Sequence, residues 1–464
     1  MVFSSIPFLY YFLPITLLIY FLAPGKLKNT VLFLSGLVFY AWGEPVYVFL
    51  MLFNILTGYL SGLLMEKNME KADAFFTPKR ILICTLILFV GIFVFFKYTN
   101  FFIQNVNAFA GTDISLLKLA LPIGISFYTF QMITYLVDVY RKEVPAQKNI
   151  IALGAYITMF PQLIAGPIVR YDAVASQLKV RTYGWDKMES GISRFIVGLS
   201  KKVLIANELG ALCDSFRASG EKSLLFYWMY AIAFALHIYF DFSGYSDMAI
   251  GLGKILGFNF PENFNYPYIS KSITEFWRRW HMTLGSFFRD YVYIPLGGNR
   301  VSTLKWVRNI LLVWMLTGFW HGAEWNFVLW GLYFGILLLL EKKWLNPWFE
   351  KIGRGFGWLR HIYVIILLVF SFVLFNASSV SQALSDFKCL LGFGNLPITS
   401  PEAVYYLKSY GMTFLVAIIG ATPVVKKLAG KENVLKPILL IGLLLLSTAY
   451  LVDGSFNPFL YFRF

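Results

Sequence analysis

The sequence predicts an all-α protein that crosses a membrane many times, and three observations carry that reading. Hydrophobic residues fill 58% of the 464 positions and charged ones only 14%, well below the roughly 25% charged of a soluble domain. Apolar windows long enough for about 30 Å of hydrocarbon recur along the whole chain. No linker and no internal repeat divides it, so residues 1–464 read as one membrane-embedded domain.

Taken in order, the windows centre near Leu17, Phe33, Leu52, Leu86, Phe130, Tyr156, Ile232, Leu312, Ile336, Ile366, Leu415 and Leu440. Allowing for re-entrant pieces, about eleven spanning helices are expected. The first stretch, 6–22, lacks a basic n-region and an A-x-A-like site, which predicts an uncleaved helix rather than a signal peptide. The window 150–168 is expected to be a broken or re-entrant pair, interrupted around Pro161 and at Gly166-Pro167.

The formal charge of +15 suggests nucleic acid only until its distribution is seen. Lys26 and Lys28 follow the first window, Lys67 to Arg80 the third, and Arg141, Lys142 and Lys148 the fifth. The connections between, near Glu44 and over 100–113, are poor in Lys and Arg. That alternation is a topology signal, and it places the N-terminus outside and the 67–80 loop in the cytoplasm. Cys84, Cys213 and Cys389 are isolated among largely apolar residues, without disulfide or metal spacing.

The middle of the chain differs from both ends. From Pro261 to Arg300 the sequence is polar and irregular although it lies between apolar spans. Such backbone survives at membrane depth only when buried in protein or lining a wet cavity, which predicts a crevice walled by short helices and turns. Within it, 274–287 is predicted to be one short helix with Trp277, Trp280, His281 and Leu284 on one face and Glu275 paired to Arg279. Arg278 and Arg279 are either interfacial anchors or, as a group beside His281, the mouth for an anionic ligand such as a phosphate.

Trp320-His321-Gly322 lies inside an apolar, aromatic run, and an ionisable side chain at such depth is a functional candidate. The simple alternative is a helix-end histidine bonded to a carbonyl. Against it, Gly318 and Gly322 permit close approach of backbone or substrate, and Phe319, Trp320 and Trp325 offer an apolar wall that keeps an imidazole neutral and able to act as a general base. His237, with Asp241 one turn on, reads as structural, and His361 as an interfacial anchor. A nucleophile elbow, a Walker loop and H-E-x-x-H are missing from the sequence, and His281, His321 and Glu324 do not complete a recognisable metal set, so no metal is expected.

These residues form recognisable runs: Phe276 to His281, Phe288 to Arg300, Gly318 to Gly322, Leu121 to Gln131, Phe160 to Ile168, and the tail Asn457 to Phe462. Together they resemble the membrane-bound O-acyltransferases over nearly the whole chain, and within them the bacterial alginate and polysaccharide O-acetyltransferase branch. The Pro295-Leu296-Gly297-Gly298-Asn299-Arg300 segment favours that branch over the teichoic acid D-alanyl transferases, while Arg463 stands where the branch has glutamine.

The resemblance implies a ring of tilted helices around a thin centre pierced by a tunnel, in the bacterial cytoplasmic membrane. It implies acetyl-CoA as a cytoplasmic donor substrate with no bound cofactor, and His321 as the general base with His281 helping to position groups or stabilise charge. Substrate binding would fall to Trp277, Arg278, Arg279, Trp280, Asp290, Tyr291, Asn299, Arg300 and Trp320, the donor phosphates lying near Arg278, Arg279 or Arg300. The acyl group would pass to an extracytoplasmic polysaccharide, with a separate serine-hydrolase-like transferase and export proteins as partners besides membrane lipid. The alternatives are D-alanyl or other acyl transfer to a cell-wall polymer, a polysaccharide or lipid-linked sugar flippase without chemistry, and, weakest, a scaffold for secretion. Only acyl transfer explains both histidines in aromatic, arginine- or glycine-flanked motifs.

Overall fold

The computed structural model describes residues 2–71, 75–164, 166–351, 357–429, 435–454 and 459–460. Ala165 of the Phe160 run, and Asn457, Pro458, Tyr461, Phe462 and Arg463 of the tail, lie outside the described residues. Every predicted window centre falls on a helix, and no strand occurs among the described residues. The chain groups into two compact units, Met1–Phe195 with Ser246–Pro261, and Ile196–Tyr245 with Glu262–Phe464.

The first unit begins with α1 (Leu13–Leu22), entered through a π-helical turn, and α2 (Lys28–Ala41). Then come α3 (Val48–Asn68) and α4 (Pro78–Ala110). Thr77 starts α4 by accepting from the Arg80 N–H, with Pro78 at the first position, where its missing N–H costs nothing. Gly111, at φ 65°, ends it in the left-handed conformation glycine adopts freely. Next are α5 (Ile125–Tyr140), α6 (Ile150–Thr158) and the single turn α7 (Phe160–Leu163). The 150–168 window is broken as expected, with the break at Met159, because Pro161 can begin a helix but cannot continue one. The short helix α8 (Tyr171–Lys179) and α9 (Trp185–Ser200) follow.

The second unit takes up the end of α9, then α10 (Asn207–Ala218) and the first part of α11 (Leu224–Ile255). Between Pro261 and Arg300 lie only short pieces, α12 (Ile273–Trp277) and α13 (Met282–Phe288) among them, as the polar composition predicts. The single helix expected over 274–287 is instead two, parted at residues 278–281, because His281 adopts φ 43° and ψ 52°, which no α-helix accommodates. The hairpin of α14 (Thr303–His321) and α15 (Trp325–Leu340) comes next. After it run α16 (Asn346–Lys351), α17 (Gly357–Asn376), α18 (Val380–Leu390), α19 (Pro401–Gly420), α20 (Val424–Ala429) and α21 (Leu435–Asp453).

Six described helices, α3, α4, α11, α17, α19 and α21, are long and apolar enough to cross a membrane. The windows near Leu17, Phe33, Phe130, Tyr156 and Ile336 fold into shorter helices, from 9 residues in α6 to 16 in α5 and α15. Apolar length alone does not reveal where a turn interrupts a window.

Candidate active site

The α14 and α15 hairpin sets the position of His321. A Cβ at Gly318 would lie 2.3 Å from the Phe327 carbonyl oxygen, and one at Gly331 2.2 Å from that of Trp314. The helices therefore touch backbone to backbone. A Cβ at Gly322 would meet the Phe327 ring at 2.2 Å, so these glycines admit protein atoms to the flank of His321. His321 ends α14 and is buried, its ring 4.9 Å from Trp330, 5.3 Å from Phe375 and 4.8 Å from Trp320 between centroids. The apolar wall is Trp320, Trp330 and Phe375; Trp325 is exposed.

His281 also packs on the Trp320 indole, its ring 5.7 Å from Trp320 and 4.7 Å edge-on to Phe242. The left-handed turn is held by Asn263. Its carbonyl accepts from the Met282 N–H at 3.0 Å, and its side-chain Oδ1 accepts from Thr283 Oγ1 at 2.9 Å and from the Thr283 N–H at 3.4 Å. Oδ1 also lies 3.1 Å from His281 Nδ1. An oxygen that accepts a backbone N–H is an acceptor, so Nδ1 carries the proton and donates, and in the neutral ring Nε2 is left with a free lone pair. That Nε2 is buried without a hydrogen-bond partner among the described residues. The indole N–H groups of Trp277 and Trp330 are likewise buried and without a partner among the described residues. Trp277 packs edge-on against Trp314, Trp330 and Phe334, which ties α12 to the hairpin.

A buried carboxylate that sequence reading passed over fixes the start of α12. Glu341, 1% exposed at the end of α15, accepts from the N–H groups of Ile273 and Thr274, from Thr274 Oγ1 at 2.8 Å and from Tyr363 OH at 3.3 Å. Orphan N–H donors at a helix start need such acceptors. Ser272 adds a side-chain cap to Glu275 N at 3.0 Å. Asn309, buried on α14, was missed in the same way; its Nδ2 donates to the carbonyls of Leu296 and Gly298 and pins the double-glycine loop, where Gly297 and Gly298 both have positive φ.

The expected substrate-binding residues do not all converge. Trp277, Trp280 and Trp320 lie in the aromatic cluster, Trp280 stacked on Phe276. Arg279 pairs with Glu275 at 2.9 Å, as the one-turn spacing predicts, and donates to the Asn265 carbonyl at 3.1 Å. Arg278 is exposed on the turn and has no side-chain partner among the described residues, so the expectation that both arginines serve a buried polar crevice fails for Arg278. Asp290 pairs with Arg289, Tyr291 stacks on Phe287, and Asn299 and Arg300 are exposed at the end of the Asn309-held loop.

His237 is bonded to a backbone carbonyl rather than to Asp241. Its Nδ1 lies 2.6 Å from the Ala206 carbonyl oxygen, while Asp241 pairs with Lys202 at 2.5 Å and accepts from the Leu460 N–H at 2.8 Å. His361 stands near the start of α17 and is partly exposed. Among the described residues no group of His, Cys, Asp and Glu gathers as a metal site.

Six described helices of crossing length mark a multi-pass membrane protein, and two buried imidazoles share the Trp320 ring within its second unit. Residues 141–381 match the family described as MBOAT, membrane-bound O-acyltransferase, and the chain belongs to that family and is an O-acyltransferase. A protein of Azotobacter vinelandii named a probable alginate O-acetylase is 38% identical over 423 residues, 90% of this chain and 84% of that one. The peptidoglycan O-acetyltransferase of Helicobacter pylori is 34% identical, covering 92% of this chain and 87% of its own. The teichoic acid D-alanyltransferase of Bacillus subtilis is 30% identical over 55% of this chain and 67% of its own.

Proposed function

We propose that this protein moves an acetyl group from cytoplasmic acetyl-CoA through the membrane for O-acetylation of an extracytoplasmic polysaccharide. The observation that carries the mechanism is the bare Nε2 of His281, aimed by the bond from Nδ1 to Asn263, on the Trp320 ring that also carries His321. One imidazole takes the proton of an acceptor hydroxyl as its oxygen attacks the thioester carbonyl. The tetrahedral intermediate collapses, the C–S bond breaks, and the thiolate leaves and recovers the proton. We assign the base to His321, the residue that the family resemblance puts in that role, and use the free Nε2 of His281 for positioning. Neutral His281 has no Nε2 proton to offer an oxyanion, so it accepts a hydrogen bond and positions the attacking group, while the indole N–H groups of Trp277 and Trp330 are the donors available for developing negative charge.

Acetyl is favoured over D-alanyl because the alginate relative matches 90% of this chain and the D-alanyl relative 55%. In this reading the chain sits in the bacterial cytoplasmic membrane with its N-terminus outside, and hands the acyl group to an extracytoplasmic serine-hydrolase-like transferase. Membranes containing the protein, supplied with radiolabelled acetyl-CoA and the polysaccharide made by the host, should release free CoA and label the polymer. Polymer export without CoA release would replace the reading with a flippase.

A further inference from the structure

Away from the histidines, the second unit holds an open cavity of about 470 Å³ whose lining includes Asn265, Tyr266, Arg279, Pro423, Lys426 and Lys427. Its charged lining is entirely cationic. Lys426 and Lys427 are exposed on α20 and pair with no carboxylate among the described residues. Arg279 spends its Nε and one terminal nitrogen on Glu275 and donates from the other to Asn265. A guanidinium has five N–H donors, so part of the fork remains for a ligand.

The location selects the ligand class. α20 joins α19 to α21, whose apolar windows are only 11% and 6% buried, the least of the six crossing helices. Low burial of this kind is what lipid-facing helices show, and α20 follows directly on the end of α19, where a crossing helix reaches headgroup depth. The opposite wall is rigid: Tyr266 is held at φ 46°, and the Asn265 N–H donates to the Arg279 carbonyl at 2.9 Å. That bond lies two residues from both Asn263 and His281.

We propose that this cavity binds a phosphate-bearing ligand, with Arg279 as the planar fork and Lys426 and Lys427 as point charges. The phosphate belongs either to an anionic lipid headgroup or to a soluble phosphate ester. The soluble-ester arm rests on the proposed acyl transfer, whose donor phosphates are expected near Arg279, while the headgroup arm does not; both are read as binding, so their failure is distinguishable from a failure of acyl transfer.

The test uses the full chain, purified into nanodiscs, with the double variant Lys426→Ala/Lys427→Ala and the charge-keeping Lys426→Arg/Lys427→Arg. Inorganic pyrophosphate is titrated calorimetrically in phosphatidylcholine discs, and phosphatidylglycerol retention against phosphatidylcholine is read by native mass spectrometry in mixed discs. Loss of two cations at about 1 kcal/mol each weakens binding roughly 30-fold, and the arginine variant keeps it. A pyrophosphate response that the alanine variant loses assigns a soluble ester, and a phosphatidylglycerol preference that it loses assigns a headgroup. The proposal is overturned if the unaltered protein shows neither response, or if the alanine variant keeps whatever the unaltered protein shows.

Discussion

The proton on His281 Nδ1 is fixed by one amide oxygen, which makes Asn263 the most informative residue to change. Asn263→Ala should cost activity roughly tenfold or more, since an imidazole without its orienting partner samples the wrong tautomer. Asn263→Asp keeps an acceptor at the same place and should retain more. Equal losses in acetyl transfer by the two, at matched protein levels, would remove tautomer control from the mechanism. His321→Ala should lose roughly 10²-fold or more if it is the base, and unaltered polymer acetylation in that variant would sink the assignment. The arginines should part company. Arg279→Lys breaks a fork held by Glu275 and the Asn265 carbonyl and should impair transfer. Arg278→Lys, on an exposed turn, should be silent. Full activity in the Arg279 variant would return that side chain to simple anchoring.

Among the elements, α12 and the α14–α15 hairpin decide where the histidines stand. Glu341→Ala strands the Ile273 and Thr274 N–H groups at the start of α12, at about 1–3 kcal/mol for each buried donor left unpaired. It should lower the thermal midpoint in detergent and with it acyl transfer. Gly331→Ala forces a methyl into the Trp314 carbonyl, and overpacking of this kind costs about 1–3 kcal/mol. An unchanged midpoint in both variants would mean the hairpin and its cap are softer than the contacts indicate.

These same elements mark what a sequence can disclose. Each apolar window became a helix because side-chain period and length are local properties, and the His281 and His321 runs stood out as ionisable groups inside apolar sequence. Asn263 and Glu341 did not. Each acts on a partner 18 or 67 positions away, and nothing in the local run around a lone Asn or Glu announces that distant contact. The break at 278–281 escaped for a similar reason, since the residues there permit a helix and only the Asn263 cradle makes the turn win.

For the whole molecule, the outstanding quantity is orientation. The basic loop at 67–80 and the basic-poor stretch at 100–113 should face opposite sides. Cysteines placed at Ala72, which lies outside the described residues, and at Ala108, near the end of α4, should label oppositely with a membrane-impermeant maleimide, Ala108 from outside. Labelling of Ala72 from outside would invert the protein and the side from which the donor enters.

The left-handed turn at position 281 also bears on how this site can drift over generations. Backbone of that kind filters mutations before chemistry does. Asparagine and histidine are among the side chains that tolerate it, whereas a β-branched residue does not. A lineage can therefore trade one for the other in a single step without rebuilding the loop, while replacement by valine or isoleucine would demand a new path for the chain from Asn263 to Thr283.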